Sequence, residues 1–152
     1  MYIIYDNIMI QELFEIIDKE ENHDLLEYTE KQIEEKRKSI LKKLTFDEEE
    51  FEKMNKTLQH YRYIEDANHL KHGHFIRWIS IRGEKRGNLT NGGIICRLDI
   101  DEEEEKICVL IKSITRYGKP RFARFNLQEC FVFQRLNYQE QILLKVIEYA
   151  AS

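Results

Sequence analysis

"NHLKHGHFIRWISIRG", residues 68–83, decides the fold, because the periodicity of the chain changes around it. Upstream, apolar residues recur at helical spacing. From Tyr61 onward they alternate, and "HFIRWISI" (74–81) is the first long run to do so. Alternation places successive side chains on opposite faces of a strand. The glycines mark the same boundary: all six lie between Gly73 and Gly118, and the only proline is Pro120.

Downstream follow "GIICRLDI" (93–100), "KICVLIKSI" (106–114), "RFARFNL" (121–127) and "CFVFQRL" (130–136), with turn-forming or polar residues between them. Five such runs predict antiparallel strands. Strict alternation puts Ile94, Cys96, Leu98 and Ile100 on one face of the second run, and Ile107, Val109 and Ile111 on one face of the third. Asn91-Gly92 reads as a hairpin turn.

Upstream, Ile10, Leu13, Phe14 and Ile17 follow one helix face. Residues 25–44 are dense in Glu, Lys, Arg and Gln, with Leu26, Ile33 and Ile40 seven apart as a narrow stripe. Thr45 with Glu48 has the spacing of a capping box, opening a second helix whose face is Phe51, Met54, Leu58 and Tyr61. At the other end Asn137 with Glu140 forms an N-cap signal before Leu143, Val146, Ile147 and Ala150. The predicted fold is α+β. An acidic helical region (1–60) precedes a five-stranded antiparallel sheet or SH3-like small barrel (61–136), and a C-terminal helix (137–152) packs on the β-domain and caps it.

A chain of 152 residues suits one ordinary domain. Its net charge of −4 hides an asymmetry: residues 1–60 carry 9 basic against 16 acidic side chains, and residues 61–137 carry 14 against 10. That excess is far below the density of a dedicated DNA-binding domain. Cys96, Cys108 and Cys130 lie inside strand patterns without a CxxC pair, which predicts reduced, inert thiols. The opening "MYIIYDNIMIQELFEIIDKEEN" lacks a basic n-region and a cleavage site. No stretch approaches the roughly 18–20 apolar residues of a membrane span. The expectation is a cytoplasmic protein with no membrane partner.

His69, His72 and His74, with Cys96 or Cys108, have the ligand types of a zinc site, but no HExxH, CxxC or carboxylate at ligand spacing accompanies them. They read as exposed loop histidines, and no metal is expected. No nucleophile elbow exists, and "LTNGG" opens onto a strand rather than a helix, unlike a phosphate cradle. The expectation is therefore no catalytic residue, no cofactor and no enzyme. The most suggestive set is basic and aromatic: Arg77, Trp78, Arg82, Lys85, Arg86, Arg116, Tyr117, Lys119, Arg121 and Arg124. Such residues bind single strands by stacking bases beside a cationic groove. The plainer reading makes Trp78 core and the arginines solvated guards of sheet edges, and the acidic run at 99–105 in the same domain favours it.

"YRYIEDANHLKHGHFIRWISI" (61–81), "GGIICRLDI" (92–100), "ICVLIKS" (107–113) and "CFVFQRL" (130–136) together resemble the β-rich domain of uncharacterised proteins of nucleocytoplasmic large DNA viruses. The resemblance covers residues 61–136, about half the chain. The sequence departs from that pattern in its histidine-rich turn and in having arginines where lysine and serine are expected before the last strand. The resemblance implies a viral protein of infected-cell cytoplasm or the virion, without assigned activity.

The resulting expectation is a non-enzymatic interaction or structural protein, which the resemblance implies to be virion-associated. It binds a protein partner or itself through the N-terminal helices and their Leu26, Ile33, Ile40 stripe. The alternative is a nucleic-acid-binding module using the basic turns.

Overall fold

The computed structural model describes residues 19–151. The helix face expected from Ile10 to Ile17 lies outside them. A 3-10 segment (Glu20–Glu27) leads into helix α1 (Glu30–Leu44) and helix α2 (Glu48–Thr57). Six strands follow: β1 (Tyr61–Tyr63), β2 (Phe75–Ser80), β3 (Gly93–Asp101), β4 (Lys106–Ile114), β5 (Pro120–Asn126) and β6 (Cys130–Arg135). Helix α3 (Tyr138–Ala151) closes the chain. The α+β class and the C-terminal helix are as the periodicities predict.

Helix caps explain where the helices begin. Thr29 and Gln32 form a reciprocal capping box at α1, which splits the expected 25–44 helix in two. Helix α2 is capped by Asp47, which accepts from the Glu50 amide at 2.7 Å. Thr45 instead ends α1, its hydroxyl donating to the Leu41 carbonyl. A carboxylate wins this N-cap because its charge also meets the helix macrodipole, as do Glu48, Glu49 and Glu50 in the first turn.

The sheet order is β1-β6-β2-β3-β4-β5, antiparallel throughout. The sixth strand, Tyr61–Tyr63, exists only through its pairing with β6; three residues are too few to carry a periodicity. Strands β2 and β3 pair only through Phe75↔Ile94 and Ile76↔Gly93 and then diverge. The Asn91-Gly92 pair is not a two-residue hairpin turn. The turn lies at 81–88, and the chain returns along β2 through an Ile79↔Leu89 bridge and a Thr90 amide bond to the Trp78 carbonyl. Gly92 then passes so close to β2 that an added Cβ would lie 2.1 Å from the Ile76 carbonyl oxygen.

The sheet is strongly curled. The rings of Trp78 on β2 and Phe125 on β5 stack with centroids 4.2 Å apart, although β3 and β4 lie between those strands. In a flat sheet three strand spacings would separate them by about 14 Å. The sheet thus wraps toward a barrel but stays open, with β1 and β5 as its edges.

A register shift between Ile95 and Arg97 changes which residues line the inside of the curl. The extra residue of a β-bulge inverts the alternation beyond it. Ile95 is buried, Leu98 three residues later packs with it, and Ile94 and Ile100 are exposed. The predicted face of Ile94, Cys96, Leu98 and Ile100 is therefore corrected. In β4 Val109 and Ile111 are buried together, as expected.

Inside the curl Ile64, Leu70, Ile76, Ile95, Val109, Ile111 and Val132 form one core cluster, with Trp78, Leu98 and Phe125 against it. On the outer face α1 and α2 cover β1, β6 and β2 through Ile40, Leu41, Leu58, Tyr61, Ile79 and Phe133. A third cluster joins Leu25 and Ile33 to Leu136, Leu143 and Leu144. Helix α3 thus sets its apolar side against the 3-10 segment and α1, with Leu136 from the end of β6, and Ala150 is exposed. Ile33 and Ile40 of the predicted stripe are used inside the chain's own fold, and Leu26 alone stays exposed.

Candidate functional site

The histidine-rich segment runs from β1 to β2 over the inside face of the sheet, and its polar groups are more engaged than loop residues would be. His72 is exposed. His74 reaches the Glu140 carboxylate, Nε2 to Oε1, at 2.7 Å. His69 Nδ1 lies 3.4 Å from the Arg62 guanidinium. Reading all three as exposed loop residues is thus corrected for two of them.

Glu140 is the hub. As the third residue of α3 it completes the predicted cap with Asn137, amide to side chain in both directions, at 2.9 and 2.8 Å. The same buried carboxylate accepts from Lys71 Nζ at 2.8 Å. Lys71 also bonds Asp24 at 3.1 Å, and Asp24 takes the Arg62 guanidinium at 2.6 Å. Gln134, also buried, clamps the loop backbone, accepting from the Lys71 amide and donating to the His69 carbonyl. Burial alone would raise the Glu140 carboxyl. The bonds from His74, Asn137 and Lys71, with the Lys71 charge, outweigh it and lower it to about 2. Asp24 is likewise held below its ordinary value, Arg62 and Lys71 overcoming the effect of burial. One chain of charges therefore ties the 3-10 segment, β1, the 64–74 loop and α3 together.

Beside it lies a cavity of about 310 Å³ whose lining includes Tyr28, Ile33, Arg62, Tyr63 and His69. The Arg62 guanidinium stands over the Tyr28 ring at 5.3 Å. Its charge is already matched by Asp24, so the cluster works as a clasp and presents no unpaired acid or base. Among the described residues no three His, Cys, Asp or Glu side chains gather where a metal ion could be held. The three cysteines are free and half-buried, and burial pushes the Cys130 thiol up. Among those residues no helix is long and apolar enough to cross a membrane.

The basic and aromatic set falls into two places. Trp78 is half-buried inside the curl against Phe125. Arg77, on the opposite face of β2, donates to the Thr90 carbonyl at 2.8 Å. Arg82 lies 3.5 Å from Glu129, and Lys85 and Arg86 are exposed in the 81–88 turn. Arg116, Tyr117, Lys119, Arg121 and Arg124 all belong to the β4–β5 hairpin and are exposed. Arg121 is paired across to Ser113 and Arg124 to Leu110, so these two arginines occupy opposite faces.

On the outer face, helices cover β1, β6 and β2 and leave β3, β4 and β5 open. Register builds that open half in rows. Ile94, Lys112 and Phe122 lie side by side, the row continuing from Phe75 under the helices. The neighbouring rows are Arg97, Leu110 and Arg124 on one side and Ile114 with Pro120 on the other. Phe122 is 58% exposed, Ile114 73% and Tyr117 at the turn 85%. Lys112 and Phe122 were legible as strand residues, but their place in an uncovered row depends on where the helices stop.

Compared with known proteins, the chain matches no family model, no curated protein and no solved structure.

Proposed function

We propose that this chain is a non-enzymatic interaction module that binds its partner on the open half of the sheet, the outer face of β3, β4 and β5. The observation that carries the reading is the cross-strand row of Ile94, Lys112 and Phe122, which leads from the covered core into solvent. Large apolar side chains gathered on one face mark contact surfaces, whereas scattered ones do not. The mutual pairing of Glu140, His74, Lys71, Asp24 and Arg62 supports a structural rather than chemical use of the buried charges. The stripe on α1 is occupied internally, so the partner surface moves from the N-terminal helices to the sheet. The resemblance of residues 61–136 to the β-rich domain of proteins of large DNA viruses suggests a setting in infected-cell cytoplasm or the virion.

The test is an Ile94→Asp, Phe122→Asp double variant. Its thermal unfolding stays close to that of the parent, because both side chains are exposed, while whatever the parent binds in its native source is lost. Unchanged binding by a folded variant overturns the proposal.

A further inference from the structure

The β4–β5 hairpin, residues 106–124, holds six cationic side chains (Lys106, Lys112, Arg116, Lys119, Arg121 and Arg124) and no Asp or Glu. Two of the six have acidic neighbours: Lys106 pairs with Glu104, and Arg124 lies 3.9 Å from Asp99, which Arg97 already holds at 2.8 Å. The other four, Lys112, Arg116, Lys119 and Arg121, make no ion pair among the described residues. They surround the turn and the distal half of the hairpin. The acidic run at 99–105 weighs against a polyanion partner. Its Asp99 is engaged by Arg97 and Arg124, and Asp101–Glu105 lie at the far end of β4 from the turn, nine residues away, or about 30 Å along an extended strand. At the ionic strength of a cell that is several screening lengths, so the cations at the turn are screened from them.

Resting on the interaction reading above, we infer that the partner of this face is a single-stranded nucleic acid. Its phosphates are met by Lys112 on the face and by Arg116 and Lys119 at the turn, and its bases stack on Phe122 and Tyr117. Charge complementarity calls for a polyanion, and the two exposed rings choose among polyanions. Aromatic side chains interleaved with cations suit bases with free faces, which a duplex conceals. An acidic peptide would need neither ring. It would instead add along the β5 edge, where Pro120, Arg121 and Arg124 guard against strand pairing.

The experiment measures binding of the whole chain to labelled oligothymidylate, oligouridylate, a mixed-sequence duplex and poly-glutamate. With about three phosphates neutralised, single-strand affinity falls roughly 20-fold between about 50 and 200 mM salt. Lys112→Glu with Arg116→Glu abolishes it, and Phe122→Ala with Tyr117→Ala weakens it by about tenfold or more. Both pairs are exposed, and unchanged thermal unfolding shows that the variants are folded. Three results overturn the inference: no single-strand binding at low salt, poly-glutamate or duplex bound as tightly, or indifference to the loss of both rings. If oligonucleotides fail while a protein partner or self-association is lost in the Ile94→Asp, Phe122→Asp variant, the interaction reading stands and the nucleic-acid partner falls. If no binding of any kind depends on this face, both fall.

Discussion

Replacing Glu140 by glutamine removes one charge from a buried position and, among the described residues, leaves Lys71 with Asp24 as its only anionic partner and His74 with none. The shape of the side chain and its cap bond to the Asn137 amide survive, so the change isolates the charge. Holding the carboxyl at about 2 against an ordinary 4.5 corresponds to roughly 3 kcal/mol, at ~1.4 kcal/mol for each tenfold step in proton affinity. Removing one partner of a buried pair costs a similar amount, about 3–5 kcal/mol. At about 2–4 °C per kcal/mol for a domain of this size, Tm drops by roughly 6–12 °C near neutral pH. The sign with pH follows from the depressed folded value. The carboxylate contributes fully above its ordinary range, and the contribution is lost as pH falls from about 4.5 toward about 2. Thermal unfolding of parent and Glu140→Gln side by side therefore shows a gap that is widest near neutrality and closes in acid. Asp24 titrates in the same direction in both proteins, so the comparison largely cancels it. Equal stability near pH 7, or a gap that persists unchanged into strong acid, would refute the clasp.

Other consequences can be checked on the same apparatus. Gly92→Ala forces a Cβ onto the Ile76 carbonyl at 2.1 Å in a left-handed conformation and costs more than about 2 kcal/mol. Gly73→Ala, with equal backbone strain but open space around it, costs about 1–2 kcal/mol; equal losses at the two sites would contradict the close approach. A double-mutant cycle on Trp78→Ala and Phe125→Ala yields a coupling of about 1 kcal/mol. Simple additivity there would mean that the sheet does not curl far enough to stack the rings. Thr29→Ala removes the α1 capping box and lowers the unfolding free energy from urea titration by about 1 kcal/mol; no change would place the start of that helix elsewhere.

Much of the strand architecture is local information. The runs at 106–114 and 130–136 match β4 and β6 almost residue for residue, because hydrophobic alternation, turn residues and strand length all agree there. The Asn137–Glu140 cap was legible for the same reason. The capping-box spacing points to Thr45, two residues before the true α2 cap, because Thr45 and Asp47 both offer side-chain oxygens; the charge of Asp47 favours it, and Thr45 is used to end α1. The inside face of β3 was misread because a bulge leaves no mark in the alternation that it interrupts. The candidate docking face was half visible: Arg116, Tyr117, Lys119, Arg121 and Arg124 stood out as basic and aromatic, but Lys112, Ile94 and Phe122 did not.

The α+β class, the positions of five strands, the C-terminal helix and the absence of acidic residues from 106 to 124 can all be read from the order of residues. Each of these depends on residues near one another in the chain. Only the tertiary structure decided that β6 lies between β1 and β2, that Trp78 meets Phe125, and that Glu140 serves as both helix cap and ionic hub. It alone decided that the helices cover three strands and leave the other three open. Those features join residues from Asp24 to Glu140, and such pairings depend on how the whole chain closes on itself, which no local pattern of residues records.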